Sequence, residues 1–347
     1  MRISQPTLSE YGSPMLQRPL GRSGLAVSRL ALGTMTWGRD TDPDDAAAQL
    51  KFYLEAGGTL IDTADVYGDG DAEAVIGSLI DHLVPRDEVL IATKAGLGST
   101  AFRRRDASRG HLLRALDASL RRLGTDYVDL WQVHGYDTLT PLEETLAALD
   151  QAVTSGRVRY VGVSNFAGWQ TARAAAWQSA FPGRAPIVAA QMEYSLLERG
   201  IERELLPAAA AMGIGVLPWS PLGRGVLTGK YRNGRPLDSR AASEHLGPFV
   251  RTYLEPRSSS IVEAVVTAAG GLGVSPLEVA LAWIRDRPGV AAPVLGARTA
   301  GQLQGALQSE ELTLPAEIAL ALDDVSAIEV GYPEREGTGE GPRAGAY

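Results

Sequence analysis

Short apolar segments and longer amphipathic segments follow one another in a regular order along the chain. Each short run is rich in β-branched and aliphatic residues, and most are followed by a stretch with apolar residues at helical spacing. The pattern indicates eight strands, each leading into a helical region. The predicted strands span residues 29–33, 59–63, 88–94, 127–134, 158–165, 187–193, 214–220 and 290–296, and a closing helix is predicted over 315–328.

Eight strand–helix units in one chain of 347 residues predict a single-domain (β/α)8 TIM barrel, which is an α/β fold. We expect the barrel to span residues 18–330, since no interdomain linker is evident. A doubly wound parallel sheet is the main alternative. The fingerprint G-x-G-x-x-G, with which many such sheets bind dinucleotides, occurs nowhere in the sequence. Its absence favours the barrel, although some doubly wound proteins also lack it.

Three segments fall outside the repeating pattern. Residues 1–17 form an N-terminal segment that we expect to be flexible. The stretch of about 221–258, after the seventh strand, is polar and bears proline, glycine and arginine. We interpret it as a lid insertion, because long loops in compact domains are usually lids or disordered. Residues 331–347 have low complexity and are expected to be disordered.

Composition places the chain among globular proteins and narrows its partners. Apolar residues make up 45% of the sequence, but charges and helix breakers interrupt every window of about 18 residues, so no membrane span is predicted. The N-terminus lacks the apolar core of a secretory signal and cysteine is absent, which favours a cytoplasmic protein. A net charge of −8, without a basic run flanked by aromatics, argues against a nucleic-acid partner. The basic cluster at 102–109 is interpreted as a solvated loop.

Ionisable side chains stand at the carboxyl ends of three neighbouring predicted strands. Asp62 ends the second strand with Tyr67 just beyond it, Lys94 ends the third, and His134 ends the fourth. Active sites of barrels lie at this face, so the four side chains are expected to converge there. The simpler interpretations are a helix cap for Asp62, a packing residue for Tyr67, a surface charge for Lys94 and a core histidine for His134. Only three of the 33 basic residues are lysines, which singles out Lys94 because arginine can replace a lysine that supplies surface charge alone.

Seven motifs in register resemble those of aldo-keto reductases and cover nearly the whole chain. They are GTMTWG (33–38), IDTADVYG (61–68), IATK (91–94), DYVDLWQVH (126–134), GRVRYVGVSNF (156–166), PWSPLGRGVLTGKY (218–231) and PVLGARTAGQL (293–303). The resemblance implies a barrel oxidoreductase that uses NADPH and no metal. Similar branches of the family include general bacterial reductases and the beta subunits of voltage-gated potassium channels.

The resemblance assigns a catalytic tetrad to Asp62, Tyr67, Lys94 and His134. Reduction of a carbonyl group by hydride leaves negative charge on the oxygen, which then needs a proton. Tyr67 is expected to be the general acid, with its pKa lowered by the Lys94 ammonium that Asp62 holds in place. His134 is expected to donate a hydrogen bond to the carbonyl oxygen from its neutral form.

The resemblance also implies the positions that bind the cofactor. Different residues are expected to contact the carboxamide, the nicotinamide ring, the pyrophosphate and the adenosine. The carboxamide is assigned to Ser164, Asn165 and Gln191, and the nicotinamide ring to Trp219. The pyrophosphate is assigned to Ser220, Pro221, Leu222, Gly223 and Gly225 with Lys230 and Arg240. The adenosine is assigned to Gly296, Arg298, Thr299 and Gln302.

The preference between NADPH and NADH depends on one match and one mismatch with the family pattern. Arg298 opens the helix after the eighth strand, where a helix N-terminus and a guanidinium can together hold a 2′-phosphate, so NADPH is favoured. The family pattern has Glu-Asn where this chain has Gly305 and Ala306. Since those side chains usually contact the adenosine, we expect NADPH to bind more weakly than in relatives with the full motif.

The substrate pocket is expected to have aromatic walls. Trp37 after the first strand and Tyr136 after His134 are the candidates, and they imply a small apolar aldehyde or ketone. Two other classes of function stay open. One is a nucleotide-binding regulatory or redox-sensing subunit with vestigial turnover, since channel beta subunits keep the same tetrad. The other is a barrel enzyme of unrelated chemistry, such as an isomerase, which would leave the seven motifs unexplained.

Overall fold

The structure is a computed structural model that describes residues 15–100, 103–234, 236, 239–243, 247–329 and 331–332, apart from the side chains of 98–100 and of Arg240. Residues 1–14, which are most of the N-terminal segment predicted to be flexible, lie outside the described residues. So do residues 333–347, which are most of the tail predicted to be disordered.

Strands and helices alternate along the described chain. The strands are β1 (Gln17–Pro19), β2 (Ala26–Ser28), β3 (Ala31–Gly33), β4 (Leu60–Asp62), β5 (Leu90–Ala95), β6 (Leu97–Thr100), β7 (Arg103–Arg105), β8 (Val128–Val133), β9 (Val158–Ser164), β10 (Ile187–Glu193), β11 (Gly215–Trp219) and β12 (Val294–Gly296). The helices are α1 (Pro43–Glu55), α2 (Asp71–Leu79), α3 (Arg109–Leu123), α4 (Leu142–Thr154), α5 (Gly168–Ser179), α6 (Leu205–Met212), α7 (Gly247–Arg251), α8 (Pro256–Leu272), α9 (Pro276–Arg285), α10 (Ala300–Leu307) and α11 (Ala316–Val325).

Eight of these strands form one parallel sheet that curves towards closure. Their order is β11-β10-β9-β8-β5-β4-β3-β12. A parallel bridge joins Val216 of β11 to Val290, just before β12, and Ala291 N donates to Val216 O at 2.8 Å. These contacts bring the two ends of the sheet together, and the prediction of a (β/α)8 TIM barrel is confirmed.

The burial of the barrel strands explains why they could be recognised in the sequence. All six residues of β8 are buried, because one face lines the barrel interior and the other meets the surrounding helices. Helix α3 covers the barrel with one apolar stripe that includes Leu112, Leu116 and Leu123. It ends at Gly124, whose φ of +65° is left-handed and favours glycine.

An N-terminal hairpin of β1 and β2, which the sequence pattern did not reveal, packs against the starts of two barrel strands. Its residues Leu20 and Leu25 are buried with Val188 of β10. Gly21 lies so close to the backbone that an added Cβ would stand 2.6 Å from Gly213 O, and its φ is +60°. The close approach therefore requires glycine at this turn.

The segment after β11, predicted to be an irregular lid, contains several short helices. It includes 3₁₀ turns at Gly223–Thr228 and Arg240–Ala242 and the helix α7, while residues 235, 237–238 and 244–246 lie outside the described chain. Its function as a lid stays a prediction. Within the described residues no single helix is long and apolar enough to cross a membrane; α8 and α9 meet that criterion only together and are bent by 102° at their junction.

Candidate active site

A buried ion pair connects the ends of β4 and β5. Lys94 Nζ donates to Asp62 Oδ2 and to Thr63 O, each at 2.7 Å, and the two charged side chains are almost fully buried. Gln191 Nε2, from β10, donates to the other oxygen of Asp62 at 2.7 Å. Helix α2 begins after Gly70 without a side-chain cap, so Asp62 does not serve as its cap. Instead, one carboxylate oxygen of Asp62 neutralises the Lys94 ammonium and the other holds the Gln191 amide.

The phenol of Tyr67 lies above this pair. Tyr67 opens a 3₁₀ turn after β4, and Lys94 Nζ lies 5.1 Å from the centroid of its ring. Burial raises the pKa of Tyr67 above its ordinary value, although the Lys94 ammonium acts in the opposite direction. Lys94 thus lowers the Tyr67 pKa in the expected direction, but desolvation outweighs the charge of Lys94. A phenol with this pKa stays protonated at neutral pH and can serve as a proton donor.

His134 faces Tyr67 from the end of β8. The two rings meet edge to face with their centroids 5.9 Å apart. Burial lowers the pKa of His134 to about 3, and the positive charges of Lys94 and Arg105 act in the same direction. The imidazole is therefore neutral at physiological pH, and one of its two nitrogens can donate a hydrogen bond into the space beside Tyr67.

The loop after His134 is fixed by the hairpin β6–β7. Arg103 Nη2 donates to Asp137 Oδ2 at 2.7 Å, and Arg105 Nη1 donates to Tyr136 O at 2.9 Å. These arginines belong to the basic cluster at 102–109, for which the sequence predicts a solvated loop. Arg103 is partly buried and Arg105 is exposed, yet Arg103 holds the Asp137 side chain and Arg105 holds the backbone at Tyr136, in the loop that follows His134.

A cavity of about 560 Å³ opens at the carboxyl ends of the barrel strands. Its volume lies in the range typical of sites for small molecules and cofactors. Fifteen of the predicted site residues line it: Asp62, Tyr67, His134, Ser164, Asn165, Gln191, Trp219, Ser220, Pro221, Leu222, Gly225, Lys230, Gly296, Arg298 and Gln302.

Other predicted residues lie next to the cavity without lining it. Lys94 is fully buried behind Tyr67. Gly223 sits within the same turn as Leu222 and has a left-handed φ of +54°. Thr299 caps α10 by accepting a hydrogen bond from Gln302 N at 3.3 Å. The Arg240 side chain lies outside the described part of the structure.

The two predicted aromatic walls do not reach the cavity. Trp37 is fully buried because the loop after β3 turns its indole towards α1, where Nε1 donates to Gln49 Oε1 at 3.1 Å. Tyr136 packs edge-on against Phe166 and Trp169, with ring centroids 5.2 and 5.8 Å away. Neither Trp37 nor Tyr136 lines this cavity, and their assignment as substrate contacts stays a prediction.

Unusual backbone geometry occurs where β9 and β11 end. Asn165 and Ser220 are non-glycine residues with positive φ, +56° and +51°. Such conformations are uncommon and cluster at functional sites. Asn165 Nδ2 donates to His134 O at 3.0 Å, while its Oδ1 accepts from Trp219 Nε1 at 3.0 Å. The Asn165 side chain thus orients the indole of Trp219 and links it to the backbone of His134.

Two cavity residues that sequence reasoning missed connect the barrel to α7. Arg224 makes a bidentate contact with Glu193 of β10, at 2.8 and 2.7 Å, and donates to Phe249 O at 2.5 Å. Its guanidinium lies 3.5 Å from the centroid of the Phe249 ring, and that ring is stacked with Trp219. Arg224 lies within the motif PWSPLGRGVLTGKY (218–231), so its position near the site could have been predicted, whereas nothing in the sequence indicates Phe249.

A second acidic group lies behind the tetrad. Asp65 Oδ1 is buried and has no hydrogen-bond partner among the described residues. Burial and the neighbouring carboxylate of Glu73 raise the pKa of Asp65 to about 7, with Arg122 acting against them. The neutral acid is therefore the form that this environment stabilises.

We expect Asp65→Asn to change how stability depends on pH. The Asp65 contribution is fully present below its ordinary pKa of 3.8 and is lost as pH rises through about 7. Asparagine does not titrate, so the free energy of unfolding of the variant should gain on that of the wild type between pH 4 and pH 7. The gain should be at most about 1.4 kcal/mol per pH unit in urea unfolding experiments.

The comparison between variants isolates Asp65 from His134. The contribution of His134 is lost as pH falls from 6.5 towards about 3, so it opposes that of Asp65 in the wild type but is common to both proteins. Asp69→Asn is the matched control, since Asp69 is an exposed acid on the same turn with a left-handed φ that asparagine tolerates. A pH-independent difference between Asp65→Asn and the wild type would show that Asp65 does not titrate in this range.

The chain is similar along most of its length to known proteins of two kinds. A family model described as "Aldo/keto reductase family" matches residues 29–327. The uncharacterized oxidoreductase YrpG of Bacillus subtilis (strain 168) is 38% identical over 318 residues, 88% of this chain and 94% of that protein. The aldo-keto reductase YhdN of the same organism is 34% identical over 303 residues, 85% and 88% of the two chains. A probable voltage-gated potassium channel subunit beta of Oryza sativa subsp. japonica is 34% identical over 325 residues, 92% and 98%.

Proposed function

Because the chain belongs to the aldo/keto reductase family of oxidoreductases, we propose that it reduces an aldehyde or ketone to an alcohol with NADPH. One observation carries the proposal. The buried pair of Lys94 and Asp62 stands directly behind Tyr67, and a neutral His134 faces the same phenol across the cavity. A protonated donor beside a neutral hydrogen-bonding ring suits a reaction in which a carbonyl oxygen gains negative charge.

The cavity has the features that a nicotinamide cofactor needs. Ser164, Asn165 and Gln191 bring polar side chains to the ends of adjacent strands, where they would hold a carboxamide. Gly225 has a left-handed φ of +90° that favours glycine, and Lys230 Nζ lies close to this backbone. This backbone and ammonium would hold a pyrophosphate. A bound nicotinamide would supply the hydride that reduces the carbonyl carbon.

Side chains of the protein donate the proton that the carbonyl oxygen needs and stabilise the charge that its transfer leaves behind. Tyr67 donates its phenolic proton to the carbonyl oxygen as negative charge develops there, and the phenolate that remains is stabilised by the Lys94 ammonium. Burial alone would lower the pKa of Lys94, but Asp62 and Tyr67 raise it above its ordinary value, so the ammonium stays charged. His134 donates a hydrogen bond to the same oxygen and fixes its approach.

The apolar cavity wall supports a small apolar carbonyl compound as the substrate. Val66 and Leu97 line the cavity near Tyr67 and His134, and Phe249 adds an aromatic ring from α7. These three side chains line the cavity, whereas Trp37 and Tyr136 do not. An apolar surface around two polar groups orients a carbonyl oxygen towards the donors and excludes water from it.

The proposed function is tested by stopped-flow mixing of the protein with NADPH and 4-nitrobenzaldehyde. We expect loss of the reduced nicotinamide signal over many turnovers, with formation of the alcohol. Oxidation that stops after one equivalent would favour the alternative of a redox-sensing subunit with vestigial turnover. Binding of NADPH without any oxidation of it would contradict the proposal for apolar aldehydes.

A further inference from the structure

The first turn of α10, beside the cavity residues predicted to contact the adenosine, donates a hydrogen bond to a carboxylate from another helix. Ala300 N donates to Asp45 Oδ1 at 3.0 Å, although the two residues are 255 positions apart. We propose that Asp45 limits the preference of this protein for NADPH over NADH, an inference that rests on the proposed function. Its basis is the contact of Asp45 with the turn that carries Arg298 and Gln302.

The amide groups at this helix start are already engaged. Gln302 N donates to Thr299 Oγ1 at 3.3 Å, and Arg298 N donates to Gln302 Oε1 at 3.0 Å. With Asp45 on Ala300 N, three backbone donors of the turn have protein partners. These three amides are therefore not available to a 2′-phosphate without displacing their partners, and the contact of Arg298 with that phosphate stays a prediction.

The position of Asp45 follows from the start of α1. Asp42 caps that helix by accepting from Asp44 N at 3.0 Å and from Asp45 N at 2.9 Å. The cap fixes the first turn, so the partly buried Asp45 faces α10 while its neighbour Asp44 is exposed. Two adjacent carboxylates thus have different surroundings, and only one of them contacts the cavity turn.

The charge of Asp45 should distinguish the two nucleotides. A carboxylate at a helix N-terminus offsets the partial positive charge of the amides. A 2′-phosphate that approaches Arg298 would also meet the negative charge of Asp45, and like charges oppose each other most strongly where water is partly excluded. NADH has a neutral hydroxyl group in that place, so its binding should be nearly insensitive to Asp45.

Fluorescence titration with NADPH and NADH measures this effect directly as binding. Asp45→Asn keeps an acceptor for Ala300 N and removes the charge. We expect it to tighten NADPH about 5-fold and to leave NADH within about 2-fold, with a smaller gain at high salt. Asp44→Asn is the matched control, because it makes the same charge change one residue away on an exposed side chain. It should change the NADPH to NADH affinity ratio by less than about 2-fold.

Two further variants make the test independent of a single side chain. Asp45→Ser also removes the charge while keeping an oxygen acceptor, and it should shift the affinity ratio in the same direction. Arg298→Ala should lower NADPH affinity selectively, which would locate the phosphate at this turn. Equal ratios for Asp45→Asn and Asp44→Asn, or an Arg298→Ala protein that keeps its NADPH preference, would overturn the inference. A wild-type protein that binds neither nucleotide would instead overturn the proposed function.

Discussion

Replacement of Tyr67 by phenylalanine is expected to lower carbonyl reduction by about 10²-fold or more, the usual scale for loss of a general acid. The phenyl ring can keep its edge contact with His134 and its place above Lys94, so the cavity should retain its shape. Only the proton donor is lost. Titration should show that NADPH affinity stays close to that of the wild type, which separates a defect in chemistry from one in binding.

Tyr127→Phe is the matched control for this variant. Tyr127 precedes β8, at the opposite end of the strand from His134, and its ring contacts the guanidinium groups of Arg86 and Arg159. The same loss of a phenolic hydroxyl there should leave kcat within about 2-fold of the wild type, as is usual for substitutions away from the site. A Tyr67→Phe protein with near-normal kcat would remove Tyr67 from the role of general acid.

The barrel and the residues at its strand ends could be predicted because they follow from local patterns. Parallel strands such as β8 are buried on both faces and appear as apolar runs, so an ionisable residue at the end of such a run is conspicuous. Asp62, Lys94 and His134 were found in this way. The short strands β1 and β2 were not, since three residues carry too little periodicity to distinguish a strand from a loop.

The remaining site features depend on contacts between distant parts of the chain. The sequence placed Trp37 beside the first strand, but the direction of its side chain is decided by Gln49 in the next helix. Phe249 lines the cavity where Arg224 joins its backbone to Glu193. Contacts of this kind carry no periodic signal, so they become visible only when the fold is known.

Lys94→Met is expected to reduce both activity and stability. The substitution removes the cation that stabilises the phenolate of Tyr67, so reduction should fall at least about 10²-fold and its pH dependence should change. It also leaves Asp62 buried with Gln191 as its remaining side-chain partner. Because an uncompensated buried charge is costly, the free energy of unfolding should fall by about 3–5 kcal/mol in urea denaturation.

A double variant, Asp62→Asn with Lys94→Met, separates the two effects. With both charges removed, no buried ion is left unpaired, and Gln191 can still donate to the oxygen of the asparagine. Much of the lost free energy of unfolding should return, since replacing both members of a buried pair is often nearly neutral. Activity should stay low, because the phenolate of Tyr67 still lacks its ammonium. If the double variant regained activity together with stability, the pair would act only as part of the core, and Lys94 would have no direct role in proton transfer.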